Sequence, residues 1–200
     1  MYRLILAPVF LWLAAFPAAA EELSLSQISG YLNDLTTAEA EFTQINSDGT
    51  IATGRILIRR PGRARFEYNP PNDALVIAGG SQLAIFDGKS NTGPTQYPLK
   101  RTPLGLILAK KVDLDQANMI VGHSYDGTAT SIVAQDPEHP EYGSIQLLFT
   151  DSPVELRQWV ITDGVGDQTT LILGGMETGL TLANNLFSIT AEISKRADGG

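Results

Sequence analysis

From residue 39 onward the chain alternates apolar and polar side chains with a period of two, always in short runs. Ala40 and Phe42 fall on one side while Glu41 and Thr43 fall on the other, the pattern of a strand with one covered face. The alternation returns at 54–59, 64–68, 74–78, 82–86, 95–98, 120–125, 130–134, 144–150, 156–162 and 169–174, with a last short run at 186–189. Ser47-Asp48-Gly49, Pro61-Gly62, Asn69-Pro70-Pro71-Asn72, Gly79-Gly80, Asp87-Gly88, Asp126-Gly127 and Asp163-Gly164 separate the runs with turn-forming residues. Many short strands so closely spaced predict an antiparallel meander, curled or closed to protect its edges.

Two stretches break the period. Ser24 or Ser26 caps a helix whose apolar positions Ile28, Tyr31, Leu32 and Leu35 fall at i, i+3, i+4 and i+7, one face of about three turns. Further on, Thr102 is placed to cap, Pro103 suits the first helical position, and Leu104, Ile107 and Leu108 share a face before Lys110 and Lys111. Neither helix is long enough for a bundle. The simplest arrangement is mainly β with α (α+β), both helices lying over the concave face of a half-closed sheet as a plug or lid. No linker, repeat or low-complexity run divides the domain expected at 21–200.

The start of the chain reads as an address. Arg3, an apolar run at 4–16, Pro17 and Ala18-Ala19-Ala20 make a secretory signal peptide at 1–20, with cleavage after Ala20. A spanning helix needs about 20 apolar residues, and this run is shorter and interrupted by Pro8. No cysteine follows, so the mature chain is expected to be soluble rather than lipid-anchored. Removing Arg3 and no acid leaves 13 basic and 22 acidic side chains, a net charge of −9. Such a balance repels nucleic acid and anionic membranes and suits a basic patch on a partner.

Catalysis finds little to work with. There is no cysteine, which excludes thiol chemistry, thiolate zinc sites and CxxC haem attachment, and His123 and His139 are the only histidines. Gly122-His123-Ser124-Tyr125-Asp126 approaches the G-x-S-x-G nucleophile elbow, but Asp126 stands at the last glycine and a hairpin turn stands where a helix should follow. Gly164-Val165-Gly166 lacks the third glycine and the helix that seat a dinucleotide. His139 lies in a proline-bounded loop with no second histidine at metal-ligand spacing. No enzyme activity, metal or cofactor is expected.

Arg60 is the oddity. Ile56, Ile58 and Arg60 share one strand face, so inward isoleucines put the guanidinium at the inner end of an apolar stripe. There it needs acceptors, such as carbonyls left open at a helix end. Alternatively Pro61-Gly62 turns the chain outward and leaves Arg60 solvated at the rim. Arg63 and Arg65, opposite Phe66, read as solvent-facing charges.

In order, Leu32-Asn33-Asp34-Leu35, Ala40-Glu41-Phe42-Thr43-Gln44, Gly54-Arg55-Ile56-Leu57-Ile58-Arg59-Arg60-Pro61, Phe66-Glu67-Tyr68, Gly79-Gly80-Ser81-Gln82-Leu83 and Thr102-Pro103-Leu104 resemble the LolA family of periplasmic carriers of outer-membrane lipoproteins. The series is specific between Phe42 and Leu108 and looser beyond. The resemblance implies an incomplete antiparallel β-barrel whose cavity shelters lipoprotein acyl chains. It further implies a periplasmic carrier, expected to be a monomer, loaded by an inner-membrane ABC-type releasing complex and unloaded at an outer-membrane receptor. Arg60 would bond to the lid helix, with partners around Leu32, Ile107 and Leu108, and Leu35, Phe42, Ile56, Ile58, Phe66 and Leu104 would complete the cavity and lid. Ala64 and Phe66 stand where large aromatics stand in better-known relatives, which changes the shape of the cavity. A carrier of another amphiphile, such as a glycolipid, and a lipid-sensing envelope signalling domain are the alternative readings.

Overall fold

The computed structural model describes residues 21–88, 93–116 and 118–198; the leader expected at 1–20 lies outside them. The chain begins with α1 (Leu25–Asp34), then runs through β1 (Thr37–Ile45), β2 (Ile51–Arg59), β3 (Arg63–Tyr68), β4 (Leu75–Gly79), β5 (Gln82–Phe86) and β6 (Thr95–Pro98). A 3-10 turn (Leu99–Arg101) leads into the short helix α2 (Leu104–Ile107). β7 (Ile120–Tyr125), β8 (Thr130–Gln135), β9 (Ser144–Asp151), β10 (Val154–Thr162), β11 (Gln168–Leu173), β12 (Glu177–Thr178) and α3 (Ile189–Asp198) follow.

The strands form one antiparallel sheet in the order β6-β5-β4-β3-β2-β1-β11-β10-β9-β8-β7, with β12 beside β1. β6 and β7 are its two free edges, so the barrel is open. The ladder β1–β2 is the longest hinge-free register, from Thr37 opposite Arg59 to Ile45 opposite Ile51. Alternation sends Ala38, Ala40 and Phe42 of β1 inward with Ile56 and Ile58 of β2 and Ala64 and Phe66 of β3. The far half contributes Ile132, Ile145, Leu147, Phe149, Trp159 and Leu171 to the same interior. Gly54 permits the crowding at its centre: a Cβ there would lie 2.7 Å from the Phe42 Cζ.

Ser24 caps α1 in a box with Gln27, and Ile28 and Leu32 on its inner face are fully buried in the sheet's core. Lid helix α2 is shorter than its sequence pattern implies. Pro103 occupies the cap position rather than the first helical one, and the Thr102 hydroxyl donates backwards to the Leu99 carbonyl at 2.8 Å, closing the preceding 3-10 turn.

The last third of the chain corrects two readings. Residues 186–189 form no strand: a 3-10 turn (Asn184–Phe187) runs into α3, which lies on the outer face of the sheet. There Ile189 packs on a small second core of Leu75, Ile77, Ala84 and Phe86, which is why β4 and β5 are apolar on both faces. Arg63 and Arg65 do not point freely into solvent. Arg63 Nη1 donates to the Asn184 side-chain oxygen at 2.9 Å, and Arg65, whose side chain is 11% exposed, donates to the Leu186 carbonyl at 3.1 Å and pairs with Glu192 at 3.3 Å. Arg59 likewise bonds the Leu182 carbonyl. These outer arginines fasten the C-terminal strap to the sheet.

Candidate functional site

All nine apolar residues singled out from the sequence, Leu32, Leu35, Phe42, Ile56, Ile58, Phe66, Leu104, Ile107 and Leu108, fall in one buried cluster. Between them they belong to α1, three neighbouring strands and the lid, so sheet and lid share a single apolar interior. Arg60 sits at its edge. The inward turn prevails over the rim: Nη2 donates to the Ala109 carbonyl at 2.6 Å, one residue beyond the partners anticipated, while the Gly62 amide donates to the Leu108 carbonyl at 2.8 Å. The open C-terminal carbonyls of the lid helix thus find donors at the end of β2. Arg60 Nε and Nη1 are buried with no partner among the described residues, and burial pulls the guanidinium below its ordinary pKa.

The two lid elements are also tied to each other. Asn33 of α1 pairs both ways with the Val112 backbone, Nδ2 to the carbonyl at 2.8 Å and the amide to Oδ1 at 2.9 Å. The Leu114 amide donates to the Ser29 hydroxyl at 3.0 Å. Tyr31 receives the Leu156 amide at 3.2 Å and meets Phe149 edge-on at 5.7 Å between ring centres.

Two cavities flank the lid. One of about 490 Å³ runs between Pro103, Leu106, Val112, Met119, Ala134 and Ile145. The other, about 470 Å³, is lined by Phe66, Tyr68, Leu83, Leu104, Trp159 and Leu171. Thr102, Pro103 and Tyr142 border both, so the start of the lid and one tyrosine of the opposite wall form the partition. The Arg101 guanidinium lies 5.1 Å from the centre of the Tyr142 ring, whose other neighbour is the His139 imidazole, stacked at 4.6 Å.

Phe66, Tyr68 and Trp159 line the second cavity, and Phe42 meets Phe66 and Tyr68 from within the buried core. Tyr68, Phe42, Phe66 and Trp159 make consecutive edge-to-face contacts at 5.2, 6.0 and 6.3 Å. Tyr68 donates its hydroxyl to Gln44 at 2.6 Å, and burial pushes its pKa up to about 12. Trp159, Tyr68 and Tyr142 were not among the sequence-predicted residues. For Trp159 the reason is a bulge in β10: the register against β9 skips between Leu156 and Gln158, so Leu156 and Trp159 both face inward although strict alternation sends the indole out.

The nucleophile-elbow reading of residues 122–126 fails on geometry. The segment continues as β7 into a hairpin with β8, and neighbouring strand residues His123 and Ser124 project to opposite faces. The His123 Nε2 lies 2.9 Å from the Leu23 carbonyl. Among the described residues no three His, Asp or Glu side chains come together as a metal site.

Comparison with known proteins follows the same outline. Residues 33–190 match the family described as outer membrane lipoprotein carrier protein LolA. An outer-membrane lipoprotein carrier protein of Coxiella burnetii is 25% identical over 189 residues, covering 90% of this chain and 88% of its own length. That of Azotobacter vinelandii is 24% identical over 178 residues, covering 84% of each. Among solved structures, a DUF1329 family protein from Desulfovibrio piger superposes with a TM-score of 0.50 at 9% identity, over 84% of this chain and 95% of that one, a likeness of fold alone.

Proposed function

Because this chain belongs to the LolA family, we propose that it carries lipoproteins through the periplasm, sheltering their acyl chains inside the open barrel. The observation that carries this reading is the pair of apolar cavities, about 490 and 470 Å³, on either side of a lid that is held by a handful of polar contacts. Mainly apolar pockets of about 300–1,000 Å³ are the usual size for burying a small organic ligand. Each methylene kept from water is worth about 0.8 kcal/mol, so acyl chains cannot cross an aqueous compartment unaided.

The lid contacts suit loading and unloading. Hydrogen bonds of about 1 kcal/mol each close an empty cavity that would otherwise expose apolar wall, yet yield when an acyl chain enters. Cargo would arrive from an ABC-type releasing complex of the inner membrane and leave to an outer-membrane receptor, both inferred from the family. The acidic surface left after export, net −9, favours brief contact with basic patches on those partners.

Native mass spectrometry of the protein purified from the periplasm of cells accumulating a lipoprotein tests the reading. A complex with intact acylated lipoprotein is expected. Bound free lipid would point to an amphiphile carrier instead, and recovery of the protein only from the cytoplasm would overturn export.

A further inference from the structure

Trp159 stands in the wall of the second cavity, 1% exposed, and its indole Nε1 has no hydrogen-bond partner among the described residues. Its surroundings are apolar: Phe66 at 6.3 Å between ring centres, Leu147 across the β9 ladder and Leu171 across the β11 ladder. A buried donor with no acceptor has lost its water and gained nothing, and such groups are rare in folded proteins. The Tyr68 hydroxyl of the same wall is already satisfied by Gln44. A phenylalanine at 159 would pave the same surface without the orphan.

Building on the carrier reading, we infer that the Trp159 Nε1 is the hydrogen-bond donor for an acyl carbonyl of the cargo, the ester or amide where a fatty chain joins its headgroup. The bulge that turns Trp159 inward then has a purpose beyond packing. It sets an unpaired donor beside Phe66, Leu83, Leu104 and Leu171, the apolar part of a wall that also carries Gln44, Thr102 and Asp163. A single donor fixes how far an acyl chain enters, because the carbonyl marks one end of it. It also discriminates an acyl chain from an alkyl ether or hydrocarbon of the same length, which leaves the donor unpaired.

Trp12 and Trp159 are the only tryptophans, so in a Trp12→Phe background the indole signal belongs to Trp159 alone. The N–H vibration of Trp159 is read on adding dipalmitoylglycerol, an N-palmitoyl peptide, or dihexadecylglycerol, the ether analogue without carbonyls. A shift to the hydrogen-bonded position with the ester or the amide, and none with the ether, is expected; the ester alone assigns an O-linked chain and the amide alone an N-linked one. No shift with either bound carbonyl compound, or an equal shift with the ether, overturns the inference.

Binding supplies the second arm. Displacement of a fluorescent fatty-acid probe is expected to show the ester held about fivefold more tightly than the ether, the worth of one net hydrogen bond. Trp159→Phe is expected to erase that preference while still binding both. A preference that survives in Trp159→Phe defeats the assignment and leaves the carrier reading standing; failure of the unmutated protein to bind any of the three lipids defeats both. If Trp159→Phe does not fold, the vibrational arm decides without it.

Discussion

Arg60 and Ala109 join the end of strand β2 to the end of the lid: Nη2 donates to the carbonyl at 2.6 Å, and no carboxylate lies within ion-pair distance among the described residues. A guanidinium with one neutral acceptor and two orphan nitrogens is an economical latch, because it holds the lid without making it costly to release. A carboxylate in place of that carbonyl would have locked it.

Arg60→Leu is therefore expected to leave global stability within about 1 kcal/mol of the unmutated protein, since an apolar side chain replaces a poorly paired buried cation. The closed, empty state loses its latch, so loaded protein is favoured and cargo release slows about fivefold for a lost contact of about 1 kcal/mol. Denaturant unfolding and transfer of a labelled lipoprotein to acceptor membranes measure the two effects. Normal transfer in this variant would remove Arg60 from the lid mechanism.

Tyr68 gives a pH dependence. Its pKa is raised from 10.0 to about 12 by burial, so the native state holds the phenolic proton where the unfolded chain has released it. The stability it contributes is whole below pH 10 and drains away as the pH rises through about 12. Tyr31, raised in the same direction by burial, adds to the slope. Unfolding midpoints taken between neutral and strongly alkaline pH are expected to fall less steeply in Tyr68→Phe, which at neutral pH costs about 1 kcal/mol for the lost bond to Gln44.

Arg65 and Glu192 fasten α3 to the outer face, each 11% exposed in the side chain. Arg65→Ala leaves Glu192 with Arg196 alone and unbinds the Leu186 carbonyl. Hydrogen exchange across residues 184–198 is expected to speed up about tenfold, the equivalent of about 1.4 kcal/mol of local stability, while β9 and β10 are unchanged. Acceleration spread evenly over the sheet would show that the strap is part of the global folding unit.

Gly54→Ala tests the crowded centre of the barrel. A Cβ at 54 would press on the Glu67 carbonyl and lie 2.7 Å from the Phe42 ring, and the backbone oxygen cannot swing aside. Destabilisation of about 2–3 kcal/mol is expected from overpacking. A near-neutral effect in denaturant titration would mean that β2 and β3 part more easily than their register implies.

Much of this architecture was legible in one dimension. Alternation at Ala40 and Phe42, at Ile56 and Ile58 and again along β8 and β9 is forced by the two-residue period of a strand, and Gly49, Gly62, Gly80 and Gly127 stand where turns take a positive φ. The spacing of Ile28, Tyr31 and Leu32 likewise determined both α1 and the face it buries. What the sequence could not carry are relations between distant segments. Where the extra residue of a bulge falls depends on the partner strand, and that residue decides whether Trp159 looks in or out. Whether Arg65 is solvated depends on a helix more than a hundred residues away. The cavities exist only where the 3-10 turn at Leu99–Arg101 lays the lid against Tyr142 and leaves space on both sides. Local chemistry sets the period of each strand and the ends of each helix; the shape of the space left between them is settled only when all of them pack at once.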